Sequence, residues 1–264
     1  MGSLSAEAMK RVVDALLEYQ RIGRGEAVGD FTVFATSATR EAKNQGQFLQ
    51  LIEKESGFVC RVLTGDEEAV YSYLGVISDL PVHDRILVAD IGGGSTELIL
   101  GEGVNILCQS SINIGSRRFH NRFLKSDPVT HDEIERLKRQ LTKELSAIPS
   151  DFDRQAQTGV AVGGTATTVG MMAGRIPVAK ASSVHHYVLK RGQVNAIVDE
   201  LARRNIAWRK TMIGLNPDRA DVILAGAMIF QGIFERFGFA EMVISLRDLL
   251  FGVLLDSFDD SELV

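Results

Sequence analysis

The stretch Asp90-Ile91-Gly92-Gly93-Gly94-Ser95-Thr96-Glu97 separates two short apolar runs, and its composition decides how the surrounding chain folds. Residues 85–90 and 96–100 are rich in aliphatic and β-branched side chains, which predicts two strands. Three consecutive glycines remove every Cβ from the connection, so its backbone can adopt positive φ angles and approach a ligand closely. A tight turn between two strands predicts a β-hairpin, in contrast to the strand–helix unit of a P-loop.

The polar groups of this turn predict an anion site. Successive backbone N–H groups of a glycine turn form a concave nest for an anion, and Ser95 and Thr96 add hydroxyl donors. The carboxylates of Asp90 and Glu97 flank the turn and would repel a phosphate unless a divalent cation lay between them. Because Mg²⁺ binds through one or two carboxylates and substrate oxygens, the stretch predicts a phosphate ligand with a metal ion. The alternative is a structural hairpin with a solvated turn.

Three further stretches carry candidate site residues. Gly163-Gly164-Thr165 follows an apolar strand at 160–162 and opens a helix, where free N–H groups attract anions; taken alone, a plain helix start explains it better. Glu67 and Glu68 open another helix, either as a favourable interaction with the helix dipole or as a general base. Arg40 follows a strand exit and is either a surface side chain or a bidentate phosphate ligand.

The adjacent histidines His185 and His186 are expected not to form a metal site, because neighbouring side chains on regular structure point in different directions. Short strands and helices alternate along the chain, which predicts an α/β protein. Further strands are expected at residues 31–35, 59–63, 104–111 and 242–244, and the principal helices at 4–22, 47–55, 67–80, 116–124, 131–148, 193–203, 220–237 and 249–256.

Composition excludes several classes of protein. The 264 residues carry a formal net charge of −5, without the basic excess of nucleic-acid-binding proteins, so no nucleic acid partner is expected. The longest apolar run, residues 222–234, is interrupted by Gln231 and is too short to span a bilayer. No basic segment followed by an apolar run marks a signal peptide, and Cys60 and Cys108 form no CxxC pair. A cytoplasmic protein with no membrane partner is therefore expected.

Four motifs together resemble a known family. They are ATSATREAKN (residues 35–44), TGDEEA (64–69), DIGGGSTEL (90–98) and AVGGTATTV (161–169). In this order they resemble the exopolyphosphatase/guanosine pentaphosphate phosphatase (Ppx/GppA) family of the actin-like ATPase superfamily, and the resemblance covers nearly the whole chain. It implies a two-domain, ribonuclease H-like α/β fold, in which residues 1–80 form part of a first domain and residues 85–264 form the second.

The resemblance also implies roles for individual residues. Glu68 would be the catalytic base that activates a water molecule, with Glu97 as a second catalytic residue, and Asp90 and Glu97 would hold Mg²⁺. The implied phosphate-binding residues are Arg40, Gly92, Gly93, Gly94, Ser95, Gly163, Gly164 and Thr165. The implied reaction is hydrolysis of a terminal phosphoanhydride in inorganic polyphosphate or guanosine pentaphosphate, by a homodimer. The sequence does not separate the two substrates.

Two departures from the family pattern matter. The family's first phosphate loop, of the type DIGSNS, precedes the helix at LSAEAMKR, and this sequence begins after it. That predicts an N-terminally truncated first domain with an exposed sheet edge, and it is consistent with a start codon assigned too late. The C-terminal pattern ISDRGLREG reads ISLRDLLFG at residues 244–252, so Leu246, Leu250 and Phe251 stand where the pattern has Asp, Arg and Glu.

The departures leave two hypotheses open. One is a hydrolase whose activity is impaired by loss of the first phosphate loop, and the other is a non-catalytic phosphate- or nucleotide-binding relative. A kinase-type ATPase of the same superfamily is disfavoured, because the position of Glu68 suits water activation.

Overall fold

The computed structural model describes residues 2–80, 84–153 and 156–258. The chain divides into two compact units, Met1–Glu67 and Glu68–Val264, and the division falls within one helix. Strands and helices alternate along the sequence, which confirms the predicted α/β class. The predicted domain limits at residues 80 and 85 remain predictions.

The helices are α1 (Ala6–Gly25), α2 (Ser37–Arg40), α3 (Gln45–Ser56), α4 (Gly65–Ile77), α5 (Ser116–Phe123), α6 (His131–Ser146), α7 (Gly163–Gly174), α8 (Arg191–Arg203), α9 (Ile206–Arg209), α10 (Ile223–Phe237) and α11 (Leu249–Phe258). The strands are β1 (Val33–Ala35), β2 (Cys60–Val62), β3 (Arg85–Ile91), β4 (Thr96–Glu102), β5 (Asn105–Ile112), β6 (Thr158–Val162), β7 (Val188–Lys190) and β8 (Glu241–Ile244).

The first unit contains a small parallel sheet formed by β1 and β2. Its core is made by Val13 of α1 and by Phe48 and Ile52 of α3. Ser5 is the cap of α1, because its hydroxyl accepts the N–H of Ala8 at 3.1 Å. The truncation expected for this part of the chain remains a prediction.

The second unit is built on a six-stranded sheet with the order β5-β4-β3-β6-β8-β7. Strands β3, β4 and β5 form an antiparallel meander, and β6 and β8 run parallel to β3. Strand β7 closes the far edge, antiparallel to β8. Three antiparallel strands followed by two parallel ones are the ribonuclease H-like arrangement that the resemblance implies. The hairpin predicted around the glycine turn is confirmed.

Strand β3 sends alternate side chains into two different cores, as the period of two in a strand requires. Leu87 and Ile91 belong to the main core. Ile86 and Val88 pack in a smaller core with side chains of α4. Asp90 continues this second series, so its side chain lies on the α4 side of the sheet.

Helices α4 and α11 touch through two glycines. A Cβ on Gly75 would overlap the carbonyl of Asp248, and a Cβ on Gly252 would overlap the carbonyl of Tyr71. The Tyr71 hydroxyl also donates to Asp256 Oδ2 at 2.9 Å. Because only glycine allows this approach, the start of α11 is held directly against α4.

Helix α10 is the buried core helix that the apolar run at 222–234 predicts, with ten of its residues buried. The capping box predicted at the start of α6 is also present, since Thr130 and Glu133 each bond the other's backbone N–H. Within the described ranges, no helix combines the length and the hydropathy that crossing a membrane would require.

Candidate functional site

Two acids lie side by side where β3 and β4 meet the glycine turn. Asp90 pairs with Glu97 across β3 and β4, and Glu97 pairs with Ser111 across β4 and β5. Directly opposite residues of antiparallel strands project from the same face of the sheet, so the three side chains form a row. Ser111 Oγ donates to Glu97 Oε1 at 2.9 Å, and Ser72 Oγ of α4 donates to Asp90 Oδ2 at 3.0 Å.

The surroundings of these carboxylates disfavour their charged forms. Burial, together with the charges of Asp248 and Glu68, raises the pKa of Asp90 to about 6. Burial, together with the charges of Asp90 and Glu68, raises the pKa of Glu97 to about 7. Across the described ranges, no salt bridge reaches either of the two acids. Four carboxylates therefore lie close together, and their oxygens are the ligands that a hard divalent cation such as Mg²⁺ prefers.

The structure distinguishes between the two glutamates at the start of α4. Glu67 is engaged in a capping arrangement with Thr64: its carboxylate accepts the Thr64 N–H at 2.8 Å, and its own N–H donates to Thr64 Oγ1 at 3.1 Å. Glu67 also pairs with Arg61. Glu68 is only 5% exposed, and its charge acts on both Asp90 and Glu97. Of the two, Glu68 is the glutamate that joins the carboxylate cluster.

The glycine turn presents open N–H groups. Its carbonyls at Gly92 and Gly93 accept N–H bonds from the first turn of α5, and the Gly92 N–H closes the turn onto the Ser95 carbonyl at 3.0 Å. The N–H groups of Gly93, Gly94 and Ser95 meet no acceptor among the described residues. Because α5 binds the carbonyls on its side, these three consecutive amides are left available to an anion, and anion binding at this turn remains a prediction.

The hydroxyl groups of the turn are already engaged. Thr96 is fully buried, and its Oγ1 donates to the Ile114 carbonyl at 2.6 Å. The Ser95 hydroxyl bonds to Glu97 and lowers the pKa of that carboxyl against the effect of burial. The expectation that Thr96 offers its hydroxyl to a ligand was therefore wrong, since its position in β4 directs the side chain inward.

The second glycine turn, Gly163-Gly164-Thr165, lies against the carboxylate of Asp90. Gly163 has a φ of +81°, and a Cβ at this position would overlap Asp90 Oδ1. Helix α7 starts here without a side-chain cap, because Val162 precedes it. The N–H groups of Gly163, Gly164 and Thr165 therefore lie at an uncapped helix N-terminus, next to Asp90.

A cavity of about 500 Å³ lies between the two turns. Its lining includes Gly92, Gly93, Gly164, Thr165, Arg117 and Arg219. The guanidinium of Arg219 covers Gly164 so closely that a Cβ there would overlap it. Burial and the charge of Arg117 lower the pKa of Arg219, a combination that a bound anion would relieve. Sequence reasoning missed both arginines, because no local pattern distinguishes them from surface residues.

Of the residues to which the resemblance assigns a role, Arg40 alone belongs to the first unit. It ends α2 and is half-buried, and its guanidinium donates to the Leu63 carbonyl. Its role in phosphate binding remains a proposal. The other ten predicted site residues all lie in the second unit, around the carboxylate cluster and the two turns.

The raised pKa of Glu97 predicts how stability depends on pH in the absence of divalent cations. Between the ordinary value of 4.5 and about 7, the folded chain binds more protons than the unfolded chain. The free energy of unfolding therefore falls as pH rises through that window. At about 1.4 kcal/mol for each pKa unit, the total loss is about 3 kcal/mol. In Glu97→Gln, which cannot ionise, this loss disappears. We expect the melting temperature of Glu97→Gln, relative to the unsubstituted protein, to rise by about 5 °C between pH 4.5 and pH 8.

Circular dichroism melts in EDTA at the two pH values would measure this difference. Glu235→Gln, on the exposed side of α10, is the control for removing a carboxylate. An equal change in melting temperature at both pH values would show that Glu97 is not held in a protonation-sensitive site.

The chain is 32% identical over 263 residues to the bifunctional 3-dehydroquinate synthase/phosphatase of Fusobacterium nucleatum, a match that covers 97% of this chain and 39% of that protein. It is 29% identical over 268 residues to exopolyphosphatase 2 of Mycobacterium tuberculosis, covering 96% of this chain and 83% of that protein.

A solved structure and a family profile agree with these relatives. The crystal structure of the Aquifex aeolicus Ppx/GppA family member superposes with a TM-score of 0.84 at 31% identity, covering 99% of this chain and 85% of that one. The profile of the Ppx/GppA phosphatase family matches residues 1–261. With the four motifs, the hairpin and the two glycine turns in place, this chain belongs to the Ppx/GppA phosphatase family.

Proposed function

We propose that this protein is a Mg²⁺-dependent hydrolase that releases the terminal phosphate of inorganic polyphosphate. The observation that carries the proposal is the arrangement of three carboxylates, those of buried Glu68 and Glu97 and of partly buried Asp90, beside two turns whose backbone N–H groups are open. Carboxylates next to open backbone N–H groups are the setting in which a divalent cation and a phosphate bind together. The M. tuberculosis relative, an exopolyphosphatase by name, supports the same substrate class.

The two turns would hold the phosphate chain. The N–H groups of Gly93, Gly94 and Ser95 bind oxygens of one phosphoryl group, and those at the start of α7 bind the next. The guanidinium of Arg219 lies over the start of α7 and adds two parallel donors in a fixed plane. Mg²⁺, held by Asp90 and Glu97, would neutralise charge on the phosphate oxygens. Arg40 is proposed as an additional phosphate ligand from the first unit.

Glu68 is proposed as the general base. A water molecule attacks the terminal phosphorus, and its proton passes to the Glu68 carboxylate. The bond from that phosphorus to the bridging oxygen breaks, its electron pair stays on the shortened chain, and orthophosphate leaves. Glu97 would help to hold the cation, and its carboxylate and that of Glu68 repel each other. The protein's part is chiefly to position and stabilise, as in phosphoryl transfer generally.

Guanosine pentaphosphate remains a second proposed substrate, because it presents the same terminal phosphoanhydride. The homodimer and the cytoplasmic location stay predictions.

Phosphate release from polyphosphate tests the proposal directly. We expect the full chain to release orthophosphate with Mg²⁺ and to lose at least about 100-fold of that rate in EDTA, because metal ions supply several kcal/mol of charge stabilisation. Orthophosphate would be measured colorimetrically, with guanosine pentaphosphate assayed in parallel. If neither substrate is hydrolysed while both still bind in a Mg²⁺-dependent way, the protein is the non-catalytic binding relative instead.

A further inference from the structure

The segment that follows β8 is anchored to the end of α4. Asp79 Oδ2 accepts hydrogen bonds from His185 Nε2 at 2.7 Å, and Arg247 Nε lies 3.0 Å from the same oxygen. On its other side, the His185 ring accepts the N–H of Leu246 at Nδ1, at 3.1 Å. One half-buried carboxylate therefore fixes the backbone at Leu246, through the His185 ring, and the side chain at Arg247.

The neighbouring histidine joins this anchor. His186 has a φ of +61°, so its ring turns back and lies 3.9 Å from the ring of His185. The ligand atoms of His185, His186 and Asp79 come within 4.8 Å of one another, and the expectation that the two rings point apart was wrong. Because the Leu246 N–H donates to Nδ1 of His185, the proton of the neutral ring sits on Nε2 and points at Asp79. This arrangement is a hydrogen-bonded anchor and leaves that nitrogen without a lone pair for a metal.

The anchored segment after β8 also contains Asp248, which lies on the side of α4 that faces Asp90. The backbone of Asp248 lies against Gly75 of α4, and Ser72, one turn earlier on the same face of α4, donates to Asp90. Asp248 Oδ1 accepts the N–H of Leu250 at 3.0 Å and so caps α11. Asp248 and Asp90 are close enough for their negative charges to interact.

Position 248 is also where this sequence departs from the family pattern. In ISDRGLREG the corresponding residue is glycine, and the acids of that pattern are replaced here by Leu246 and Phe251. Compared with that pattern, the segment carries one carboxylate, Asp248, in place of two, and its backbone lies against Gly75 of α4.

We propose that Asp248 is an additional carboxylate of the divalent-cation site, acting with Asp90. The proposal rests on the cation site of the proposed function. Its physical basis is that the affinity of an oxygen-ligand site for a divalent cation rises with the number of carboxylates and with their rigidity. Asp248 supplies the charge, and the contacts of its backbone with Gly75 and of its neighbours with Asp79 supply the rigidity.

Cation binding by the variant Asp248→Asn tests the proposal. Asparagine caps a helix as well as aspartate does, so the substitution removes the charge and keeps the cap. The full chain would be titrated with Mn²⁺, and free Mn²⁺ followed by electron paramagnetic resonance. We expect the dissociation constant to rise about tenfold in Asp248→Asn, with the melting temperature in EDTA no lower than that of the unsubstituted protein. Asp199→Asn, on the exposed side of α8, removes the same charge elsewhere and should leave Mn²⁺ binding unchanged.

The outcomes separate this inference from the proposed function. If Asp90→Asn loses Mn²⁺ binding while Asp248→Asn binds within twofold of the unsubstituted protein, Asp248 is only a helix cap and the inference is overturned. If the unsubstituted protein binds no Mn²⁺, the cation site itself fails, and the proposed function falls with it.

Discussion

Replacing Glu68 by Gln is expected to lower kcat for phosphate release from polyphosphate by about 10³-fold, within the range that a positioned general base contributes. Glutamine has the shape of glutamate but cannot take the proton of the attacking water. Because Glu68 is buried beside Asp90 and Glu97, loss of its charge should also relieve repulsion in the cluster. We therefore expect KM to change little and the melting temperature to stay the same or to rise.

The neighbouring residue is the matched control. Glu67→Gln changes the adjacent acid in the same turn of α4, and glutamine keeps the capping arrangement with Thr64. Its kcat should stay within about threefold of the unsubstituted protein, far less than the effect of a lost general base. Equal losses in both variants would mean that the start of α4 matters only as a structural element, and full activity in Glu68→Gln would remove the assigned mechanism.

The second large effect is expected from Gly163→Ala. At a φ of +81° an L-residue is strained by about 1–2 kcal/mol, and the added Cβ would also push against Asp90 Oδ1. Displacing Asp90 and the start of α7 by about 1 Å should cost at least about 100-fold in kcat/KM. Mn²⁺ binding should weaken in parallel, because the same carboxylate is moved.

Gly238→Ala separates strain from displacement. Gly238 ends α10 with a φ of +74° and has open space around its Cβ position. It should therefore lose a comparable amount of stability, measured by thermal melts, and keep its activity. If Gly163→Ala were as active as Gly238→Ala, the contact between the second turn and Asp90 would have no role in the reaction.

Features encoded in a few neighbouring residues were predictable. The hairpin around residues 90–97, the helix start at Gly163 and the capping box at Thr130 each follow from local composition, and the structure has all three. Strand β7 was not predicted, because its local sequence does not indicate a strand. It has three residues, of which Val188 and Lys190 are exposed, and only its pairing with β8 makes it a strand.

The prediction of the site missed residues that reach it from distant parts of the sequence. Asp90 and Glu97 could be placed together because they flank one turn, and hairpin register then sets them opposite each other. Arg219 and Asp248 lie more than 120 residues after the first turn in the sequence, and nothing in their local sequence indicates that they come near the site. The rings of His185 and His186 come together because His186 has a positive φ angle. Such an angle is rare outside glycine, and the sequence around the two histidines does not indicate it.

Helix α5 does more than cover the glycine turn. By binding the carbonyls of Gly92 and Gly93, it determines which side of each peptide plane faces the cavity. The contact is so close that a Cβ on Gly115, just before α5, would overlap Gly93 and Gly94. The turn is thus rigid before any ligand arrives, and phosphate oxygens of successive substrates meet donors that need no reorganisation. A chain shortened one phosphate at a time would encounter the same receptor at every cycle, whatever its remaining length.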